Sequence, residues 1–240
     1  MPTLSFHQLV QRYGPVLALD GFTASVLPGR VTAFLGANGA GKTTSMRIML
    51  GLSDPISGAA TIDGRRYAEL PHPVRVVGTV LDQGFHPNRS ARNHLRLVAM
   101  QAGMPSARAD HLLDFVGLAD AARRRVGGFS LGMRQRLALA SALVGDPSVL
   151  ILDEPLNGLD PDGIREMRRF LRQFADDGGT VFLSSHLLAE VAAIADDLVV
   201  IDRGRLAVSG AVADLVPDDS DLESVFQNLV RPARERECVS

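Results

Sequence analysis

Residues 36–43 read GANGAGKT and match the pattern GxxxxGK[ST] of a phosphate-binding loop. Gly36, Gly39 and Gly41 let the backbone curl so that successive N–H groups face phosphate oxygens. A helix expected from Thr43 adds its positive N-terminal end. Lys42 is placed to reach the β- and γ-phosphates of a nucleotide, and the Thr43 hydroxyl to ligate Mg²⁺. A second group stands where the apolar run Val149–Leu152 meets Asp153 and Glu154. Two carboxylates at the end of a buried strand are costly unless they bind or catalyse something. In a parallel sheet, ligands gather at the carboxyl ends of strands. Asp153 is therefore expected to hold Mg²⁺ through its water shell. Glu154 is expected to orient or deprotonate an attacking water.

Lys42 stands out for another reason. Of the 25 basic residues, 24 are Arg and this one alone is Lys. An ammonium is a compact point charge, whereas a guanidinium is a wide planar fork. A single Lys in a chain that otherwise uses Arg marks a place where Arg would not serve.

These groups need elements to hold them. Val31–Leu35, short, apolar and followed by Gly, reads as a buried strand, and Thr43–Leu52 as the helix after the loop. Val74–Leu81, Val149–Leu152, Thr180–Leu183 and Leu198–Ile201 read as further strands, with helices over Ile164–Asp176 and Leu187–Ala195. Pro28 with Gly29 and Asp63 with Gly64 are turn signals, the second read as a hairpin. From Asn88 to about Val144 the chain is rich in Leu, Ala and Arg. It reads as mostly helical, with breaks at Gly103–Pro105 and Gly127–Gly128. Strand–helix alternation predicts an α/β fold with a mainly parallel sheet. The hairpin signals add a small antiparallel sheet, and the helical block an inserted subdomain over about 86–145. After the polar break at Pro217 a short amphipathic helix (Leu222, Val225, Phe226, Leu229) and a charged end complete residues 217–240.

Composition narrows the class. The 240 residues are 46% hydrophobic and 22% charged, ordinary for a globular chain rather than a disordered or collagen-like one. A net charge of −2 gives no electrostatic case for nucleic-acid binding. Cys238 is the single cysteine and cannot form an internal disulfide, which fits a reducing compartment. The apolar runs fall well short of the roughly 20 residues that span a bilayer, so a soluble chain is expected.

The order of these motifs resembles that of the ATP-binding cassette (ABC) ATPases over about residues 3–215. Residues 129–135, FSLGMRQ, are similar to the family's LSGGQ signature, with Met133 at the second Gly. Taken alone, Ser130 is a helix cap. Gly158, Leu159 and Asp160 resemble the D-loop that crosses between subunits. His186 matches the switch histidine at the γ-phosphate, and Tyr13 the aromatic that stacks on adenine. The coupling loop departs from the pattern. By register its usual Gln falls on Asp82, with Gln83 adjacent, and either is left as the third metal-site candidate.

The resemblance implies a P-loop NTPase (RecA-like) core in an ABC ATPase domain over residues 1–216. It implies ATP and Mg²⁺ as ligands, with Gly36, Ala37, Asn38, Gly39, Ala40, Gly41, Lys42, Thr43 and Thr44 at the nucleotide. Glu154, His186 and Lys42 are the implied catalytic groups; Thr43 and Asp153 are the metal ligands. Ser130, Gly132 and Gln135 would complete the site of a second copy across an ATP-dependent homodimer. The implied partner is a separate transmembrane permease. That places the chain in the cytoplasm, peripheral on the inner face of the cell membrane. The SLGM signature and the segment Asn88–His94 resemble the branch serving bacterial drug and antibiotic exporters. A soluble ABC ATPase without a permease is the alternative.

Overall fold

The computed structural model describes residues 2–81 and 84–216. The chain opens with an antiparallel hairpin, β1 (Leu4–Tyr13) and β2 (Val16–Val26), turned at Gly14. Next come β3 (Val31–Leu35), α1 (Lys42–Met49) and β4 (Ser57–Ile62), and β4 pairs antiparallel with β1. After a 3₁₀ turn at Tyr67–Glu69 follow α2 (Pro73–Val76) and β5 (Val77–Val80). Three helices fill residues 91–142: α3 (Ala91–Gln101), α4 (Ala107–Phe115) and α5 (Leu131–Ala142). The rest alternates: β6 (Val149–Asp153), α6 (Pro161–Asp176), β7 (Thr180–Ser184), α7 (Leu188–Ala192), β8 (Asp197–Asp202), β9 (Arg205–Ala211) and α8 (Val212–Leu215).

The main sheet runs β5-β6-β7-β3-β8-β9, parallel except for β9. A smaller sheet runs β2-β1-β4. The central strands read as unbroken apolar runs because both of their faces are covered. Val31, Ala33 and Leu35 of β3 pack with Leu137, Leu171 and other residues of α3–α6 on one face. Phe34, between them, packs on the other face against the small sheet and α1. There Phe6, Phe22, Phe34 and Phe182 form a closed set of ring contacts with centroids 4.9–5.7 Å apart, tying one sheet to the other. Such pairs add about 0.5–1.5 kcal/mol each beyond the area they bury.

The structure changes several expected elements. Only the second half of Val74–Leu81 is a strand: Pro73 starts a single helical turn, a position that suits its fixed φ and missing N–H. Asp63 and Gly64 make the expected turn with positive φ, and Ile62 bridges Arg65, but no second strand follows. β4 pairs instead with β1, so the hairpin lies at Gly14. α1 starts at Lys42 and ends at Met49; α7 is a short Leu188–Ala192. The sequence does not mark β9, because its residues are mostly exposed and its apolar run is only three residues, Leu206–Val208. The tail helix expected after Pro217 lies outside the described residues. No helix of the described residues is long and apolar enough to cross a membrane.

Candidate functional site

β3 delivers the phosphate loop to the carboxyl end of the sheet. Packing and conformation require its glycines at different positions. A Cβ at Gly36 would lie 2.5 Å from the Ile201 carbonyl oxygen. Gly41 has φ 115°, and a Cβ there would meet the Ala18 carbonyl oxygen at 2.6 Å. The loop tip Ala37, Asn38 and Gly39 is exposed, whereas Ala40 is buried and accepts a backbone bond from Gly204 N at 2.9 Å. Gly41 caps α1 without a side chain, which leaves the first helical amides for a ligand. Lys42 Nζ donates to the carbonyl oxygens of Gly36 at 2.6 Å and Ala37 at 3.3 Å. Burial pushes its ammonium below the usual lysine range, and the charges of Glu154 and Asp153 oppose that shift.

Three strand ends meet beside the loop. β7 lies between β6 and β3, so its last residue stands next to Asp153. Thr43 Oγ1 donates to Asp153 Oδ2 at 2.7 Å, and the Ser184 hydroxyl donates to Asp153 Oδ1. Glu154 has φ 52°, a left-handed conformation uncommon for a side chain of its size. Its amide is held there by Ser184, through the carbonyl oxygen at 3.2 Å and Oγ at 3.0 Å. Glu154 Oε2 sits 2.8 Å from His186 Nδ1 and accepts the His186 backbone N–H at 3.2 Å. Thr43, Asp153, Ser184, Glu154 and His186 are thus one connected group, with Lys42 close enough to feel the charges of both acids. Ser184 is the member that sequence reasoning missed. Its signal was a hydroxyl closing an apolar strand, the same kind of signal that marked Asp153.

Tyr13 ends β1 beside α1, 48% exposed, with its hydroxyl 3.5 Å from Ser53 Oγ. Contacts with Ser53, Gln11 and Thr44 and the charge of Arg47 lower its phenol pKa, against a smaller opposing effect of burial. The expected adenine-stacking residue therefore lies next to Thr44 and is about half exposed.

The signature residues form a separate group. Ser130 caps α5 by accepting the Met133 N–H at 3.2 Å. Gly132 lies against the segment 158–160, where a Cβ would be 3.0 Å from the Gly158 carbonyl oxygen. Asp160 caps α6 through Gly163 N at 2.9 Å. Leu131, between Ser130 and Gly132, is 55% exposed. Gln135 does not share that surface. It is 2% exposed, and its amide reaches the Glu154 carbonyl oxygen at 3.5 Å, so it braces the acid strand of its own chain. Asp82 and Gln83, the coupling-loop alternatives, lie outside the described residues.

A Mg²⁺ ion takes hard oxygen donors and keeps several waters. The adjacent Thr43 hydroxyl and Asp153 carboxylate are such donors. Among the described residues no group of three or more His, Cys, Asp or Glu could hold a metal. An ion shared with nucleotide phosphates needs none.

The chain is similar to known proteins in both sequence and fold. Residues 19–157 match the family model of the ABC transporter. The chain is 42% identical over 202 residues to the bacitracin transport ATP-binding protein of Bacillus licheniformis, covering 82% of this chain and 66% of the relative. It is 36% identical over 229 residues to a lantibiotic transport ATP-binding protein of Streptococcus pyogenes, covering 95% and 97%. A solved ATP-binding subunit of an ABC transporter superposes with a TM-score of 0.85 at 28% identity, over 94% of this chain and 98% of that one. By the family match over residues 19–157 and these likenesses over most of the chain, the chain belongs to the ABC transporter family, as its ATP-binding and ATP-hydrolysing subunit.

Proposed function

We propose that the chain powers an exporter of antibiotic-like compounds from the cytoplasmic face of a membrane, through a separate transmembrane permease. The cargo class rests on the relatives, whose names give bacitracin and lantibiotics. The observation that carries the catalytic reading is the linked set of Thr43, Asp153, Ser184, Glu154 and His186 beside Lys42. The loop amides of residues 36–44 and Lys42 would bind the phosphates of ATP, and Tyr13 would stack on its adenine. Thr43 and Asp153 would hold Mg²⁺, which supplies charge neutralisation at the phosphates when bound. Glu154, oriented by His186, would accept the proton of a water attacking the γ-phosphorus. The P–O bond to ADP breaks in line, and phosphate leaves.

The second half of the site would come from another copy. Ser130 and Gly132 sit on an exposed helix start that suits a γ-phosphate. A head-to-tail pair of chains would place each signature over the partner's loop. ATP would then close the pair, because it contacts both chains only when they meet. Residues 1–216 would form the ATPase domain, with a helical subdomain over about 86–145. Gln135 would act through Glu154 rather than on ATP.

Two measurements test this. The ATPase rate per chain should rise with protein concentration, and a constant rate from a proven monomer would overturn the shared site. Tagged chain captured with ATP from detergent-solubilised host membranes should carry a stoichiometric partner with several hydrophobic spans. Its absence would overturn the permease.

A further inference from the structure

A second polar hollow, of about 540 Å³, opens on the helical side of the molecule. Arg89, Arg123 and Arg125 line it together with His86, Asn88 and Asn93. Its floor is two segments bonded backbone to backbone. Val126 N donates to Arg89 O at 3.0 Å, Gly127 N to Pro87 O at 2.9 Å, and Ala91 N to Arg124 O at 3.2 Å. Ser90 bridges Arg125. These bonds fix the backbone from which three arginines line one hollow.

Half-buried arginines beside the sheet and α6 are paired, whereas among the described residues those at the hollow are not. Arg30 pairs with Asp197, Arg136 with Glu166, Arg168 with Glu190 and Arg172 with Asp196. Near the hollow, Arg92 and Arg96 share Asp110. Among the described residues, Arg89, Arg123 and Arg125 have no carboxylate in ion-pair contact. The Arg89 charge is felt at His94, whose pKa is lowered by burial first and by Arg89 second. Three like charges on a rigid frame repel one another unless an anion joins them.

We propose that this hollow binds a phosphate-bearing anion. Planar guanidinium groups bind phosphate oxygens in pairs of charge-assisted hydrogen bonds. The other lining residues named above supply further polar groups, and no large apolar side chain lines the hollow. That lining suits a small charged group better than a protein segment, which needs apolar anchors. The start of α3 is not the source of the site. Its amides at Ala91, Arg92 and Asn93 are already taken by Arg124 O, Ala122 O and Ser90 Oγ. The lower segment continues from Val126 into Phe129 and Ser130, so bound anion would lie a few residues from the signature.

The test uses the full chain saturated with Mg²⁺ and a non-hydrolysable ATP analogue, which fills the phosphate loop. Pyrophosphate is titrated by calorimetry at constant ionic strength. In parallel, flotation is measured with vesicles of phosphatidylglycerol in phosphatidylcholine and of phosphatidylcholine alone. Arg123 and Arg125 are exposed, so the double variant Arg123→Gln/Arg125→Gln should fold. The matched control is Arg65→Gln/Arg66→Gln, an equal charge change at two exposed residues elsewhere. Saturable pyrophosphate binding that weakens about tenfold or more in the first variant and not in the control supports the site. If anionic vesicles also bind and pyrophosphate releases the chain, the phosphate is a lipid headgroup. If only pyrophosphate binds, it is a soluble phosphate compound. Absence of saturable binding by both probes overturns the site. So does binding that the Arg123/Arg125 variant retains, or that the control loses equally.

Discussion

The phosphate-loop edge and the signature segment differ in how complete they are. At the first, side chains from β6, β7 and the loop bond to one another: Thr43 to Asp153, Ser184 to Asp153, His186 to Glu154. At the second, Ser130 and Asp160 only cap their own helices, and Leu131 stands exposed between Ser130 and Gly132. One region makes its polar contacts within the chain. The other satisfies its backbone and turns an apolar residue and a helix start outward. The difference teaches that the sheet preorganises the proposed catalytic groups, whereas the signature segment leaves its outer surface without contacts of its own. The proposed second copy is what it would meet.

The sharpest way to break this comparison is at Glu154. Glu154→Gln should lower ATP turnover by about 10²–10⁴-fold, the usual worth of a positioned general base. ATP binding, measured by filter retention, should persist. Turnover near wild type would remove Glu154 from its role and leave the connected edge without its chemistry.

Complementation tests the two regions against each other. Lys42→Ala damages the loop and Ser130→Arg the signature, and each chain alone should be inactive. A one-to-one mixture should recover about a quarter of wild-type activity, the share of intact sites among randomly paired two-fold dimers. No recovery would mean that loop and signature do not meet across chains.

Ser184 probes the internal bonding of the first region more finely. Ser184→Ala removes the hydroxyl between Asp153 and the Glu154 amide. Hydrogen bonds to charged groups are worth about 1.5–3 kcal/mol, so turnover should fall by roughly ten- to a hundredfold. The dissociation constant for ATP without metal should be unchanged. An equal loss in both would make Ser184 a merely structural residue.

The smallest expected effect is a proton. Burial lowers the Lys42 pKa in the free chain, and bound phosphate would raise it again. The complex then holds more protons than its parts in the alkaline window between those two values. ATP affinity should therefore fall as pH rises through that window. Calorimetry in two buffers of different ionisation heat should show proton uptake on binding. Equal heats would mean that the ammonium is already fully charged in the free chain.

Much of this edge was legible beforehand. β3, β6, β7 and β8 are short apolar runs because each is buried on both faces, and such runs stand out in any sequence. The loop was legible because phosphate binding needs its glycines and Lys42 in a fixed local order. Elements at the margins were not. β9 is mostly exposed with an apolar run of only three residues, and Pro73–Val76 is apolar enough to pass for the start of a strand. Gln135 belongs by sequence to a surface motif, yet it is buried, because α5 packs along β5 and brings its amide to the Glu154 carbonyl oxygen.

The sequence by itself determined the chemistry that is local along the chain: which residues curl around a phosphate, which strands are buried, and where two acids end one of them. Only the tertiary structure decided which strand ends are neighbours. β7 inserts between β6 and β3, against their order in the chain, and that places Ser184 beside Asp153 and His186 beside Glu154. The physical reason is that these contacts join residues about 30 or more positions apart. No helical or strand period relates such positions, and only the packing of the whole sheet brings them together.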